Sequence, residues 1–354
     1  MLFHVTESER STSDRKNASI KPRRDVVRTV ERVFSSRELK CEFDHLRQNA
    51  NLIDKIIYQF STYSIWNRGI SKLDPEDCLL VNYPPVYGCF SFGHAIKKSK
   101  CQTVLFLHDL EALRGGDSFV SRFLESIIKH EEKLALDNCD YVISHNSEMT
   151  KAISRVYGIS TKKIIDLQIF DYLISSDKVP NKASLDRPVI VAGNLSPSKA
   201  GYLSCLPKDV NFNLYGSNYP LEQKSVFPNL HYLGSYDVDE LPFVLDGSFG
   251  LVWDGPDSDC CSGSFGNYLR INNPHKTSLY LASGFPVIVW KEAAIARFVL
   301  EEGVGIAVSS LDELNSVLSG LTDDEYSDLL RNVERVSARL RRGYYTEKAL
   351  SNCF

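Results

Sequence analysis

The sequence predicts two doubly wound α/β domains within one chain of 354 residues. Three observations carry that prediction. Short apolar runs of strand length alternate with segments of helical periodicity, the pattern of βαβ units and a parallel sheet. A polar stretch over residues 175–187 interrupts the pattern, and a second α/β register starts at Pro188-Val189-Ile190-Val191-Ala192-Gly193. The length itself suits two domains of roughly 150–200 residues each. These place an N-terminal domain at 1–182 and a C-terminal domain at 183–354. Two such domains of similar size are expected to face each other across a cleft at their strand ends.

Taken in order, residues 2–5 form a short first strand. A polar, basic loop follows, then a helix from about Pro22 with Val26, Val27, Val30, Val33 and Phe34 on its apolar positions. Arg15, Lys16, Asn17, Lys21, Arg23 and Arg24 in this region read either as a solvated basic face or as a contact to the anionic part of a ligand. Further strands are expected at residues 56–60, 78–83, 103–107, 141–144 and 164–169. Helical patterns cover 119–136 and 147–157, the latter with Ser147 as N-cap and Gly158 at C′. After the boundary, strands are expected at 212–215, 230–233, 249–253, 287–290 and 305–308. Ser310 with Glu313, and Thr322 with Glu325, read as capping boxes opening the last helices. The final helix carries Leu329, Leu330, Val333, Val336 and Leu340 on one face.

Composition excludes several classes. With 43% hydrophobic and 24% charged residues the chain is an ordinary soluble globular protein, and a net charge of −4 gives no electrostatic case for nucleic acid. Nine cysteines, with the adjacent pair Cys260-Cys261 but no CxxC pairing, argue for reduced thiols in a cytosolic protein. The N-terminus has no long apolar core, so no signal peptide is expected. No uncharged apolar run approaches the roughly 20 residues that span a bilayer.

Residues 249–290 read as a strand–loop–helix–strand unit. Pro274 suits the first helical turn, Gly284 the C′ position and Pro286 a stop. Lys276 falls in that first turn, where a cation is misplaced unless an anion is bound beside it. Asn272, Asn273, His275, Thr277 and Ser278 crowd the same turn, and a phosphate would meet free N–H groups, the helix dipole and the ammonium together. The other reading is a solvated surface lysine. In the N-terminal domain, strand 103–107 runs into His108-Asp109-Leu110-Glu111, ahead of Arg114-Gly115-Gly116: a histidine and two carboxylates at a strand's carboxyl end. His145-Asn146-Ser147 after the next strand is a weaker parallel. Gly193-Asn194 occupies the first turn of the second domain, where glycine admits a ligand to the backbone. Tyr215-Gly216-Ser217 closes the next strand with either a ring at the cleft edge or a core tyrosine. Phosphate-loop, HExxH and GxSxG motifs are absent. Asp254, Asp257 and Asp259 lack the glycine and terminal glutamate of a calcium loop, so no metal site is read.

HDLEALRGG at 108–116, CDYVISHNSEMT at 139–150, KIIDLQIFDYLISSD at 163–177 and AGNLS at 192–196 carry a resemblance, as do FGLVWDG at 249–255, CSGSFGNYL at 261–269 and NNPHKTSLYL at 272–281. The chain resembles the bacterial β-1,6-galactofuranosyltransferases of O-antigen assembly, which have GT-B architecture. The resemblance implies a UDP-galactofuranose donor held without metal or other cofactor by the C-terminal domain. Lys276 and its turn would take the diphosphate, and Asn194, Tyr215 and Gly216 would lie near the nucleotide. It implies an inverting transfer to a glycan acceptor, polyprenyl-diphosphate-linked, with Asp109 or Glu111 as base and His108 next in line. It also implies a cytoplasmic enzyme in peripheral contact with the inner face of the membrane; whether it is a homo-oligomer stays open. Three readings compete: transfer of glucose or galactopyranose on the same fold, a UDP-sugar epimerase, and a UDP-sugar-binding scaffold without turnover.

Overall fold

The computed structural model describes residues 1–9, 20–44, 51–114, 119–174, 180–220 and 226–354. It divides into two units, residues 1–167 with 346–354, and residues 168–345. Unit 1 holds six strands: β1 (Leu2–Glu9), β2 (Arg37–Phe43), β3 (Cys78–Tyr83), β4 (Gln102–Leu107), β5 (Tyr141–Ser144) and β6 (Ile164–Asp166). They lie in the order β2-β1-β3-β4-β5-β6, every pair parallel. Unit 2 holds β7 (Val189–Asn194), β8 (Phe212–Ser217), β9 (Leu230–Gly234), β10 (Gly250–Val252), β11 (Val287–Trp290) and β12 (Gly305–Val308). Their order is β12-β11-β10-β7-β8-β9, again all parallel. Each order reverses once, at β1/β3 and at β7/β10. Where the chain leaves neighbouring strands in opposite directions a crevice opens outside their carboxyl ends, and ligands of doubly wound sheets bind there.

Most expected strands are present, with two corrections. Residues 56–60 are not a strand; they lie in the helix Leu52–Ile70, whose N-cap Asn51 accepts the Asp54 N–H. The strand of that region is β2, Arg-Glu-Leu-Lys-Cys-Glu-Phe, in which only Leu39, Cys41 and Phe43 are buried. The unit boundary falls at residue 167/168, ahead of 182/183. The reason is burial: Phe170, Tyr172 and Leu173 are core residues, and Tyr172 donates through its hydroxyl to the Val238 carbonyl and through its N–H to that of Leu340. Among the caps, Asn146 rather than Ser147 starts the helix Ser147–Tyr157, accepting the N–H groups of Glu148 and Met149. Thr322 and Glu325 form a capping box, whereas Ser310 caps a 3-10 turn by accepting the Asp312 N–H, and Glu313 accepts that of Ser309.

One packing detail seats the helix His275–Ala282. The buried Tyr280 ring lies across β10 at Gly250, where an added Cβ would come within 2.1 Å of the ring. From its other end the Tyr280 hydroxyl accepts the Ala192 N–H of β7 at 2.6 Å. One side chain thus fixes the helix to the two strands flanking the switch point of unit 2.

Candidate active site

At the N-terminus of the helix His275–Ala282, Pro274 is the N-cap and makes no side-chain capping bond. Lys276 donates to the Trp253 carbonyl at 3.0 Å and to the Asp254 carboxylate at 2.8 Å. Lys199 approaches the other Asp254 oxygen at 4.0 Å and lies over the Phe265 ring. Asp254 is only 6% exposed, so two cations compensate one buried charge. The anion that Lys276 needs is therefore inside the chain. The loop that carries it folds back on β7's exit: Gly255 donates to the Lys199 carbonyl at 2.9 Å, and Tyr202 donates to that of Gly255 at 3.1 Å. Gly255 has φ 120°, and a Cβ there would lie 2.6 Å from the Ser262 carbonyl oxygen, so only glycine fits.

The remaining polar residues of the turn divide into two groups. Asn272 Oδ1 and Thr277 Oγ1 are buried oxygens without a hydrogen-bond partner. Asn273 and Ser278 are structural: they donate to the carbonyls of Gln168 at 2.8 Å and Phe170 at 2.6 Å, pinning the segment that opens unit 2. The His275 ring packs 5.1 Å from that of Tyr172. Across the switch point, exposed Asn194 accepts from the Ser196 N–H at 3.1 Å and from the Asn218 amide at 3.0 Å. Gly193 and Gly216 pair, and a Cβ on Gly216 would meet the Gly193 carbonyl at 1.8 Å, so that glycine serves strand packing. Tyr215 does not present its ring at the strand end. It is buried to 1% exposure, and its hydroxyl accepts the Asp246 N–H at 3.1 Å.

Unit 1 gathers its chemistry at the carboxyl ends of β1, β3 and β4. His108 Nε2 pairs with Asn82 Oδ1 at 2.8 Å. Asp109 and Glu111 share Arg114, at 3.1 and 3.0 Å. Two residues, Glu7 and Glu132, escape a sequence reading, and Arg23 is read there only as part of the basic region. Glu7, at the end of β1, accepts the Tyr87 N–H at 2.8 Å, and burial pushes its carboxyl up to about 7. Arg23 feels both Glu7 and Asp109 and donates to the carbonyls of Asn82 at 3.1 Å and Pro84 at 2.6 Å. Glu132, 4% exposed, accepts the Glu111 N–H at 2.7 Å and the Tyr157 hydroxyl. Nothing in their spacing signals these contacts, which come from different elements. Lys21 of the basic region is buried against Asp25 at 2.6 Å, which removes it from any ligand surface. Arg15, Lys16, Asn17, Gly115 and Gly116 lie outside the described residues. His145 is buried and its ring is held by the main chain at Leu107 and His108; burial pushes it down to about 3, so it stays neutral.

Residues 4–169 match the N-terminal domain and residues 189–353 the C-terminal domain of the glucosyltransferase 3-like family. The chain belongs to that family. It is a glycosyltransferase of GT-B fold. It is 39% identical over 285 residues to the β-1,6-galactofuranosyltransferase WbbI of Escherichia coli K12, a match covering 78% of this chain and 79% of the relative. Glucosyltransferase 3 of Streptococcus gordonii is 25% identical, covering 89% and 84%. Among solved structures, WaaG, a glycosyltransferase involved in lipopolysaccharide biosynthesis, superposes with a TM-score of 0.58 at 12% identity, covering 99% of this chain and 98% of its own. Sucrose-phosphate synthase of Thermosynechococcus elongatus gives 0.58 at 14% identity, covering 98% and 96%. Among the described residues of this glucosyltransferase 3-like enzyme, no group of three His, Cys, Asp or Glu stands close enough to hold a metal, and no helix is long and apolar enough to cross a membrane.

Glu132 gives the family member a measurable pH signature. Burial pushes its carboxyl up to about 7 against the pull of the Tyr157 hydroxyl and the Glu111 N–H. A folded-state value above the unfolded one means the native state binds the proton more tightly, so this group's contribution falls as pH rises from about 4.5 to about 7. Glu132→Gln keeps an acceptor for the Glu111 N–H and removes the buried charge. Its apparent Tm relative to wild type is expected to rise between pH 5 and pH 8, by an amount worth at most about 3 kcal/mol. A difference that stays flat with pH would show that Glu132 does not titrate in this window.

Proposed function

We propose that the enzyme transfers a galactofuranosyl residue from UDP-galactofuranose, with inversion, to a glycan carried on polyprenyl diphosphate, in O-antigen or other surface polysaccharide synthesis. The observation that carries this reading is the 39% identity to a galactofuranosyltransferase over most of both chains, against 25% to a glucosyltransferase. Unit 2 receives the donor. The N-terminal turn of the helix His275–Ala282, Lys276 and Lys199 take the diphosphate, with the unpartnered Thr277 hydroxyl as a further donor in the same turn. Asn194 and the backbone at Gly216 stand near the nucleotide. Unit 1 supplies the base. In a single displacement the acceptor oxygen bonds to the anomeric carbon, the bond from that carbon to the phosphate oxygen breaks, and its electron pair leaves with UDP. The acceptor's proton passes to Asp109. Helix and lysines neutralise the leaving diphosphate, so no metal is required. The enzyme works in the cytoplasm at the inner face of the membrane, where Lys97-Lys98-Lys100 meets anionic lipid.

Mass spectrometry of products formed in EDTA from UDP-galactofuranose, UDP-galactopyranose and UDP-glucose, with a synthetic glycoside acceptor, tests this. Transfer from UDP-galactofuranose alone is expected. Preferred use of a pyranose donor would move the enzyme to the glucosyl or galactosyl class. Turnover only with added Mg²⁺ or Mn²⁺ would refute the metal-free route, and UDP-sugar conversion without acceptor would indicate an epimerase.

A further inference from the structure

The helix Leu52–Ile70 turns large apolar side chains outward. Ile53 is 67%, Ile57 60% and Phe60 70% exposed. Positions i, i+4 and i+7 share one face, and exposed Ser64 and Arg68 continue the same stripe. The helix already has a core face elsewhere: the Thr62 hydroxyl pairs with that of Ser91 at 2.8 Å, and the fully buried Trp66 packs on Phe43 and Phe92. The outward stripe is thus a second apolar face on a helix that needs only one to fold. Its surroundings are cationic. Lys55, Arg68, Lys72, Lys97 and Lys100 are exposed, and Lys98 lies over the Tyr63 ring of the helix at 5.5 Å; Asp54 is the acid in its first turn.

Position adds to this. The helix follows β2 and so starts at the carboxyl end of the unit 1 sheet. That is the rim where Glu7, His108 and Asp109 stand, and where the β3 exit exposes Val86 and Phe90. We propose that the Ile53–Ile57–Phe60 stripe is a seat for an anionic lipid bilayer, with the apolar side chains entering the acyl boundary and the flanking lysines and arginine meeting lipid phosphates. This deepens the reading of a lipid-carried acceptor and rests on it. Charge selects the occupant. A second copy docking the same patch on itself, as a two-fold contact requires, would bring these cations against their own images, whereas an anionic surface neutralises them.

The test is flotation of the full chain with phosphatidylcholine vesicles containing about one third phosphatidylglycerol. Wild type is expected to float with them, to lose binding as salt rises, and to stay behind with phosphatidylcholine alone. Ile57→Ser/Phe60→Ser should lower partitioning about 10–100-fold while leaving UDP affinity unchanged, since both side chains are already in water. Wild type that fails to float, or a double variant that floats equally well, overturns the proposal. So does sedimentation showing self-association that the double variant abolishes, which would make the stripe a contact between copies. Failure of wild type to bind UDP would instead sink the donor reading and leave the flotation result standing.

Discussion

Asp109→Asn is expected to lower kcat by about 10²–10⁴-fold with little change in UDP affinity. A sugar hydroxyl is a poor nucleophile at neutral pH, and its proton must be taken as the glycosidic bond forms. Of the two candidate carboxylates, Asp109 stands two residues beyond β4, beside His108, which Asn82 orients at 2.8 Å. Glu111 lies further out and is more exposed, at 49% against 35%. A base attached close to a strand is better positioned than a more exposed one that opens the short helix Glu111–Arg114. The asparagine keeps the shape and the Arg114 contact but cannot accept the proton. Near-normal turnover of Asp109→Asn beside a dead Glu111→Gln would transfer the role to Glu111. If both variants turn over normally, the base lies elsewhere and His108 is tested next.

Lys276→Ala is expected to weaken UDP binding by about 1.5–3 kcal/mol, roughly 10–150-fold, the value of a charge-assisted hydrogen bond to the diphosphate. The structure adds a second effect. Removing the ammonium leaves the buried Asp254 carboxylate facing Lys199 alone, at 4.0 Å, so the fold should weaken as well. The two effects separate in Lys276→Ala/Asp254→Asn, which should recover much of the thermal stability and none of the UDP affinity. Calorimetry on the folded double variant decides. Wild-type affinity there would take Lys276 out of the donor site.

The fold was largely legible because parallel strands buried on both faces read as continuous apolar runs: Val287-Ile288-Val289-Trp290 could hardly be anything else. The exceptions have physical causes. β2 is an edge strand with charged residues at alternate positions, so it carries no such run. Residues 56–60 look like a strand because the helix Leu52–Ile70 is apolar on two faces, which blurs the 3.6-residue period that would reveal it. At the candidate site, the sequence puts Lys276, His108 and Asp109 each at a local landmark, a helix start or a strand end, and the structure has them at those positions. Asp254 as the partner of Lys276 was not legible, being 22 residues away along the chain in an acidic run that offers no local landmark. Tyr215 follows the same logic in reverse. Sequence puts it at a strand end, but side chains alternate along the strand axis, and only packing decides which way a ring turns.

The Lys276–Asp254 pair changes what donor binding means for turnover. A bare cation captures an anion and then holds it; here the cation is already satisfied, so at the proposed donor site a diphosphate would enter by exchange. Asp254 is a tethered competitor, present at the high effective concentration of any intramolecular partner. It costs affinity on the way in. On the same proposal, on the way out it would reclaim Lys276 from spent UDP, whose negative charge exceeds that of the intact donor.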